Sequence, residues 1–296
     1  EFLGKALAQR DIPYIESLGD EWGELCASPE LASEWADRLI DVVRLSWSPD
    51  PNIRGFFKGT SACLSAMVAA GRHEEVLELL EGAPFTWWYD RRYGVRALVA
   101  LGRKAEALRY AEASRGRNEH PCPISRACEE ILLSSGLADE AYRRYAMEAN
   151  WRSTYLATFR AIARKYPHLS PEEILRDLAE STPGQEGKWF AAAKDAGLFD
   201  LAVELANESP CDPRTLTRAA RDFSEENPAF AIEAGMAALR WLVEGYGYEI
   251  TSVDVRAAYK ETLKAGENAG RRQEVQDRAR ALVATETFGE RFVTKV

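Results

Sequence analysis

The stretch ALVALGRKAEA, residues 97–107, carries the strongest indication of the fold, because small and apolar residues lead up to Gly102 and a small residue, Ala107, follows five positions later. The same arrangement recurs around two further glycines, Gly71 with Val76 and Gly136 with Ala141. A glycine that ends a helix adopts the positive φ of a C-cap at no steric cost, and a small residue fits where two helices pack closely. The stretch therefore predicts a helix, a glycine turn and a second helix.

The turn recurs at a nearly constant interval along the chain. The turn positions are Gly71, Gly102, Gly136, Pro167, Gly197 and Asn227-Pro228. Their spacing of 30 to 34 residues is the period of a repeated helical hairpin. Segments after the turns, such as residues 104–111, carry apolar residues at three-and-four spacing, as amphipathic helices do. The pattern predicts an all-α fold.

Gly136, Ala141 and Tyr145 show the spacing by which the chain resembles the tetratricopeptide family, in which a glycine is followed by an alanine and then an aromatic residue. The resemblance covers roughly residues 55–240. It departs from the family at the early tryptophan and tyrosine of the first helix, which do not recur in register, and at the turns that use proline or asparagine. The resemblance implies a right-handed α-α superhelix, a solenoid of about eight antiparallel helical hairpins, with an extended concave surface.

Three segments are expected along this solenoid. Residues 1–54 form an acidic N-terminal helical segment or cap, residues 55–244 hold the tetratricopeptide-like repeats, and residues 245–296 supply capping helices. The length also admits two half-solenoids in place of one continuous solenoid. The period slips after Gly245, where one or two closing helices are expected over residues 253–283.

Local signals place several helix ends. The run of residues 31–43 predicts an amphipathic helix, which Ser48-Pro49-Asp50-Pro51-Asn52 ends. The first regular hairpin is expected to open with a helix near residues 56–70. Residues 121–123, with two prolines, predict a loop that leads into a helix starting near Ser125. Ser170 and Asp212 are predicted to cap the helices that follow them, because each precedes a proline suited to the first helical position.

The five cysteines are odd in number and irregularly spaced, which indicates a reducing compartment, with the cytoplasm expected, and no disulfide framework. Cys63 and Cys128 both lie eight residues before a turn glycine, where Gly94 stands before Gly102, and all three are therefore predicted to be small core residues.

The sequence contains no run of 18 apolar residues, so no membrane span is expected. Residues 1–30 lack the pattern of a signal peptide, although the chain opens without methionine.

Catalytic and metal signatures are incomplete. His120, Cys122 and Cys128 offer three soft ligands, without the paired spacing and fourth ligand of a zinc site, so no metal is expected. Residues 184–188 resemble part of a phosphate loop, but Trp189 stands where serine or threonine must hold magnesium. We therefore expect no cofactor, no catalytic residue and a protein that is not an enzyme.

Charge is unevenly distributed in a chain whose net charge is −9. Residues 1–50 carry 11 acidic and 4 basic side chains, a net charge of −7. Residues 86–126 reverse the sign, with nine basic and four acidic side chains and a net charge of +5. The basic middle segment is thus the place where an acidic partner is expected.

Arg92 and Arg126 each lie ten residues before a turn, and Arg96 lies six before Gly102. In the resembled family, such first-helix positions line the concave groove. The candidate partner-binding residues are Lys58, Trp88, Tyr89, Arg92, Arg96 and Arg126. Planar cations beside aromatic surface suit carboxylates and extended peptide, so the hypothesis is that an acidic peptide or a partner's C-terminal carboxylate docks there. The alternative is that the aromatics pack between repeats and the arginines are solvated or paired.

Three other functions belong to different classes. An α/α-barrel hydrolase or lyase also repeats helical hairpins, although closing a ring usually needs longer hairpins and a larger chain. Helical repeats can bind nucleic acid, but a sequence pI near 5.2 disfavours a polyanion over most of the surface. Self-association is a third alternative, because the acidic N-terminal segment and the basic middle segment could pair between chains or fold over one another. A protein-binding or scaffold module is the function that the sequence favours.

Overall fold

The computed structural model describes residues 16–116 and 121–284. Within these ranges the regular structure consists of seventeen α-helices and one short 3₁₀-helix, and no strand occurs there. The predicted all-α class is confirmed. The chain packs as two compact units that divide between Ala149 and Asn150. The expected segment boundaries at residues 54 and 244 remain predictions.

The first unit contains two short helices, one long helix and three pairs of helices joined by short glycine turns. The helices are α1 (Glu16–Asp20), α2 (Trp22–Leu25), α3 (Pro29–Ser46), α4 (Thr60–Ala69), α5 (His73–Glu81), α6 (Trp88–Ala100), α7 (Lys104–Glu112), α8 (Pro121–Leu133) and α9 (Ala138–Asn150). Its core is built mainly from α2 to α6, with Trp22, Ile40, Leu64 and Tyr93 among the buried side chains. Each helix therefore packs on neighbours in the chain.

The second unit continues the alternation of helices and short connections. Its helices are α10 (Tyr155–Lys165), α11 (Pro171–Glu180), the 3₁₀-helix (Glu186–Trp189), α12 (Phe190–Asp195), α13 (Phe199–Glu208), α14 (Pro213–Asp222), α15 (Pro228–Val243), α16 (Ser252–Asn268) and α17 (Arg272–Ala284). Ser170 and Asp212 cap α11 and α14 as predicted, each with a proline in the first helical turn. In the α11 cap, Ser170 and Glu173 form a reciprocal capping box.

The predicted glycine turns adopt the expected backbone conformation. The φ values of Gly71, Gly102, Gly136 and Gly197 lie between 74° and 76°. In the Gly102 turn, the Arg103 amide donates to the Leu98 carbonyl at 2.8 Å, which is the bond that closes a Schellman motif. A further turn of this kind occurs at Gly270, with φ 68°.

The positions five residues after these glycines are in the core. Val76, Ala107, Ala141 and Ala202 are all fully buried. Cys63 and Cys128 are also fully buried, as predicted. Gly94 occupies the corresponding place in α6, where an added Cβ would lie only 2.8 Å from the Tyr110 ring. The register read from the glycines therefore identifies core positions correctly in both units.

Two local predictions are wrong. Residues 121–123 do not form a loop, because α8 is helical from Pro121 onward and both prolines lie in its first turn. Proline is tolerated there, since the first amides of a helix have no carbonyl partner within it. The first helix of the opening hairpin begins at Thr60 and not near residue 56. Gly55 and Gly59 precede it, and the Phe56 ring between them is exposed.

The slip of the period after Gly245 has a simple cause. α15 has 16 residues and α16 has 17, longer than the helices before them in this unit. The turn at Gly270 therefore comes later than a period near 31 residues would place it. Val275, five residues after Gly270, is fully buried and packs with Ile232 of α15 and Ala265 of α16. The closing helices predicted over residues 253–283 are α16 and α17.

All five cysteines are thiols, and all but Cys122 are buried. Burial raises the pKa of Cys63 to about 12 and that of Cys128 to about 11.

Within the described ranges, none of the helices combines the length and the apolarity that crossing a membrane requires.

Candidate functional site

The six candidate residues divide between two cavities of the first unit. Trp88, Arg92, Arg96 and Arg126 line a cavity of about 600 Å³ between α6 and α8, here named the α6–α8 groove. Lys58 and Tyr89 line a second cavity of about 720 Å³, named the aromatic pocket, formed mainly by the α3–α4 loop, the α5–α6 loop and the first turn of α6. The structure thus brings four of the six residues into one groove and places the other two beside it.

Helical spacing explains why the groove carries several arginines. On α6, Arg92 and Arg96 are four residues apart and Val99 follows three later, so all three face the same side. On α8, Arg126 and Glu130 are likewise four residues apart. Val95 and Ile131 are buried and supply apolar walls. The groove is formed by the first helices of two successive glycine-turn pairs, and its use as a binding site remains a prediction.

Arg92 is engaged inside the protein. Its Nη2 lies 2.6 Å from Oδ1 of Asp20 in α1 and also donates to the Tyr93 hydroxyl at 3.1 Å. The guanidinium lies over the Tyr89 ring, 4.5 Å from its centroid, and the Tyr89 hydroxyl donates to the same Asp20 oxygen at 2.9 Å. Arg92 therefore joins α6 to α1, as in the alternative that an arginine of this segment is paired with an acid of another helix, although the sequence did not indicate Asp20 as the partner.

Arg96 and Arg126 differ from Arg92 in having no carboxylate within ion-pair distance among the described residues. Both side chains are exposed. Arg96 lies against the Tyr93 ring at 5.6 Å, and Arg126 Nη2 donates to Cys122 Sγ at 3.5 Å. Glu130 is the acidic residue in the wall of the groove. These two guanidinium groups are therefore available to bind an anion from solvent.

Two other arginines of the basic segment, Arg103 and Arg115, are committed to intramolecular ion pairs. Arg103 bonds Glu106 at 2.7 Å and contacts Glu74 of the preceding hairpin at 3.3 Å. Arg115 pairs with Glu148 of α9 at 3.0 Å. The net charge of +5 over residues 86–126 consequently overstates the charge that a ligand would meet. Within the α6–α8 groove, the two cations without a carboxylate partner among the described residues are Arg96 and Arg126.

The aromatic pocket collects large rings that are exposed to solvent. Phe56 is 80% exposed, Trp87 is 51% exposed, and Phe85 and Tyr89 are also exposed. Phe85 and Trp87 stack on each other, with ring centroids 4.5 Å apart and planes at 10°. Trp88, by contrast, is turned inward and is buried. Monomeric proteins rarely gather several large exposed rings in one place without using them for binding.

Asp90 lies at the wall of the aromatic pocket and is only 8% exposed. Burial raises the pKa of its carboxyl to about 6, an effect that the nearby Arg92 guanidinium partly opposes. Its position in the first turn of α6 favours the charged form, because the helix N-terminus carries partial positive charge. The sequence did not single out this residue.

A cavity of about 410 Å³ occurs in the second unit, between α14 and α16, and was also missed. Arg214, Arg218 and Arg221 of α14 line it with Asp254. Arg214 is paired with Asp254 at 2.7 Å, and Arg221 Nη2 lies 2.8 Å from Asp222. The pairing lowers the pKa of the Asp254 carboxyl well below its ordinary range, aided by the Thr251 amide and hydroxyl. Most of the charge in this cavity is thus internally balanced.

His120, one of the three soft ligands considered for a metal, lies outside the described residues. Among residues 16–116 and 121–284, no three histidine, cysteine, aspartate or glutamate side chains are grouped so that they could hold a metal ion.

Comparison of the chain with protein-family models, with curated proteins and with solved structures gave no match.

Proposed function

We propose that the chain is a protein-interaction or scaffold module whose α6–α8 groove binds an acidic peptide segment or the C-terminal carboxylate of a partner protein. The observation that carries this proposal is the pair Arg96 and Arg126, which face one groove and have no carboxylate partner among the described residues. We further propose that the helix pairs are tetratricopeptide-like repeats forming a right-handed solenoid of about eight hairpins. The glycine turns and the buried positions five residues later support this interpretation.

The chemistry of the groove matches a carboxylate ligand. A guanidinium offers a planar fork of donors that fits a carboxylate with two parallel hydrogen bonds. Val95 and Ile131 beside the arginines supply apolar surface that an extended peptide can cover. Because Arg96 and Arg126 are exposed, their charges should act mainly on the association rate and should weaken as salt rises. The five thiols support a reducing compartment, and we propose the cytoplasm as the site of action.

A direct test uses defined peptides and two matched double variants. The probes are fluorescently labelled oligopeptides rich in glutamate, with a free or an amidated C-terminus, titrated at low and high salt. Arg96→Ala/Arg126→Ala removes the two groove cations. Arg109→Ala/Arg143→Ala removes two exposed arginines of α7 and α9 that do not line either cavity, and so controls for net charge.

We expect the groove variant to bind the acidic peptide at least about tenfold more weakly than the control variant, as for the loss of charge-assisted bonds. A preference for the free C-terminus would indicate the terminal carboxylate as the ligand group. Equal affinities of the two variants would refute the groove as the binding site. An oligonucleotide of equal charge that binds more tightly than every peptide would favour the nucleic-acid alternative instead.

A further inference from the structure

We infer that the aromatic pocket receives an aromatic side chain of the same acidic peptide, so that the ligand is recognised at two points. This inference rests on the proposed function and adds the chemical class of the ligand. The acidic part of the peptide contacts Arg96 and Arg126, and its aromatic residue packs against Phe56, Phe85 and Trp87.

The two cavities share one face of α6. Tyr89, Arg92 and Arg96 are spaced by three and four residues, so their side chains lie along one side of the helix. The Arg92 guanidinium lies over the Tyr89 ring, 4.5 Å from its centroid, so a lining residue of the α6–α8 groove contacts a lining residue of the aromatic pocket. Trp87 and Arg96 are separated by roughly 14 Å of helix axis, at 1.5 Å per residue. About four residues of extended chain span that distance.

The form of the aromatic pocket favours a ring as its occupant. Phe85 and Trp87 come from the α5–α6 loop, and Phe56 comes from the α3–α4 loop. Exposed rings from two separate loops therefore line one cavity of about 720 Å³. Rings prefer offset or edge-to-face contacts with other rings, and buried aromatic anchors supply much of the binding energy of protein interfaces.

The charge around the aromatic pocket favours an acid beside that ring. Arg54 lines the pocket, and its guanidinium donates to the Ser48 and Pro49 carbonyls, which hold it in place without neutralising it. The acidic group in the wall is Asp90, whose carboxyl is buried. A ring flanked by carboxylates therefore complements this surface better than a lysine or a quaternary ammonium group.

The test compares peptides that differ in one feature. The reference probe carries tryptophan, a four-residue glycine-serine spacer and three glutamates; its companions replace tryptophan by alanine, reverse the order, or replace the glutamates by lysines. The protein variants are Phe85→Ala/Trp87→Ala and the single change Phe56→Ala, which alters a ring that is 80% exposed and so spares the core. Tyr248→Ala/Val253→Ala removes two exposed apolar side chains of the second unit as a matched control.

We expect the tryptophan probe, in one of its two orders, to bind the unaltered protein at least about tenfold more tightly than the alanine probe. Phe85→Ala/Trp87→Ala should abolish that difference, Phe56→Ala should reduce it, and the control variant should retain it. Circular dichroism and thermal melting establish that each variant is folded.

The possible failures are distinguishable. If the tryptophan and alanine probes bind equally while Arg96→Ala/Arg126→Ala still weakens both, the second contact point is wrong and the proposed function stands. If none of the acidic probes binds, or if Arg96→Ala/Arg126→Ala binds them as tightly as the unaltered protein does, the proposed function is wrong and the inference is wrong with it. Preferential binding of the lysine probe through the aromatic pocket would overturn the inference in favour of a cation site at Asp90.

Discussion

Arg92 of α6 and Asp20 of α1 form an ion pair with an Nη2 to Oδ1 distance of 2.6 Å, and each side chain is about one quarter exposed. The two residues are 72 positions apart in the sequence. Their contact joins the acidic N-terminal segment to the basic middle segment within one chain. It also separates the role of Arg92, which is structural, from the role proposed for Arg96 one turn further along the same helix.

Substituting Asp20→Asn should lower the free energy of unfolding by about 1 kcal/mol, because a partly buried guanidinium loses its charged partner. Arg92→Gln should cost a similar amount, and the double variant should cost less than the sum of the two. Urea denaturation of the four proteins measures these differences. Arg96→Ala serves as the control and should change stability by less than about 0.5 kcal/mol. Additive effects of Asp20→Asn and Arg92→Gln would contradict a direct coupling.

Gly102 and Gly94 should respond to substitution for opposite reasons. Gly102 has φ 76° and open space where a Cβ would lie, so Gly102→Ala should cost about 1 kcal/mol through backbone conformation alone. Gly94 lies against the Tyr110 ring and Leu80, so Gly94→Ala should cost about 1 to 3 kcal/mol through overpacking. Asparagine distinguishes the two, since it tolerates positive φ but is larger than alanine. It should be milder than alanine at Gly102 and more damaging at Gly94; the same ranking at both positions would contradict this explanation.

Asp90 should make the stability of the protein depend on pH. Burial raises its pKa from 3.8 to about 6, so the folded protein holds the proton more tightly than the unfolded chain does. The contribution of Asp90 to the free energy of unfolding is therefore most favourable below about pH 4 and is lost as the pH rises through about 6. Asp90→Asn should leave the stability nearly unchanged at about pH 4 and should stabilise the protein by about 1 to 3 kcal/mol at about pH 8. The gain at about pH 8 is reduced by the favourable interaction of the Asp90 carboxylate with the N-terminus of α6, which the asparagine side chain loses.

The control for this effect is Asp41→Asn, which changes a carboxylate that is 87% exposed on α3. Thermal melting at a series of pH values from about 4 to about 8 records both variants beside the unaltered protein. The stability gain of Asp90→Asn should grow between about pH 4 and about pH 7. Asp41→Asn removes one carboxylate at an exposed position and measures the effect of that change in net charge alone. A gain for Asp90→Asn that is independent of pH would show that its carboxyl titrates near its ordinary value.

The five thiols should differ in reactivity. Cys63, Cys128 and Cys211 are buried, and burial raises their pKa values to about 12, about 11 and about 12, which suppresses the reactive thiolate. Cys26 is also buried, and burial raises its pKa. Cys122 is only partly buried. A disulfide reagent at about pH 8 should therefore modify one thiol rapidly, and Cys122→Ala should remove this fast phase.

The same reaction reports on the groove, because Cys122 Sγ lies 3.5 Å from Arg126 Nη2. An acidic peptide bound at Arg126 should slow the fast modification, and a lysine-rich peptide should not. Rapid modification of several thiols in the native protein would contradict the buried placement of Cys63, Cys128 and Cys211.

The sequence predicted the parts of the fold that depend on local chemistry. Gly102 and Ala107 illustrate this, because a helix end and a close helix contact each require a particular residue type at a fixed spacing. The cap at Ser170 was predictable for the same reason. Pro121 was misjudged because proline is compatible both with a loop and with the first turn of a helix, and the surrounding sequence does not distinguish the two.

The candidate site was predictable only in part. The register placed Arg92, Arg96 and Arg126 on first helices, and they line one groove. It could not show that Arg92 is paired with Asp20, since that contact depends on packing between elements distant in sequence. The sequence also could not show which way the side chains of Trp87, Trp88 and Tyr89 point. It is set by the first residue of α6, and a shift of one residue would rotate each ring by about 100° around the helix axis.

The proposal depends above all on Arg96 and Arg126 binding a carboxylate-bearing ligand in the α6–α8 groove. The sharpest experiment is the titration of the tryptophan and glutamate probe against Arg96→Ala/Arg126→Ala and against Arg109→Ala/Arg143→Ala under the same salt conditions. We expect a loss of at least about tenfold in affinity for the first variant and almost none for the second. Equal affinities of the two folded variants would show that these arginines do not bind the ligand.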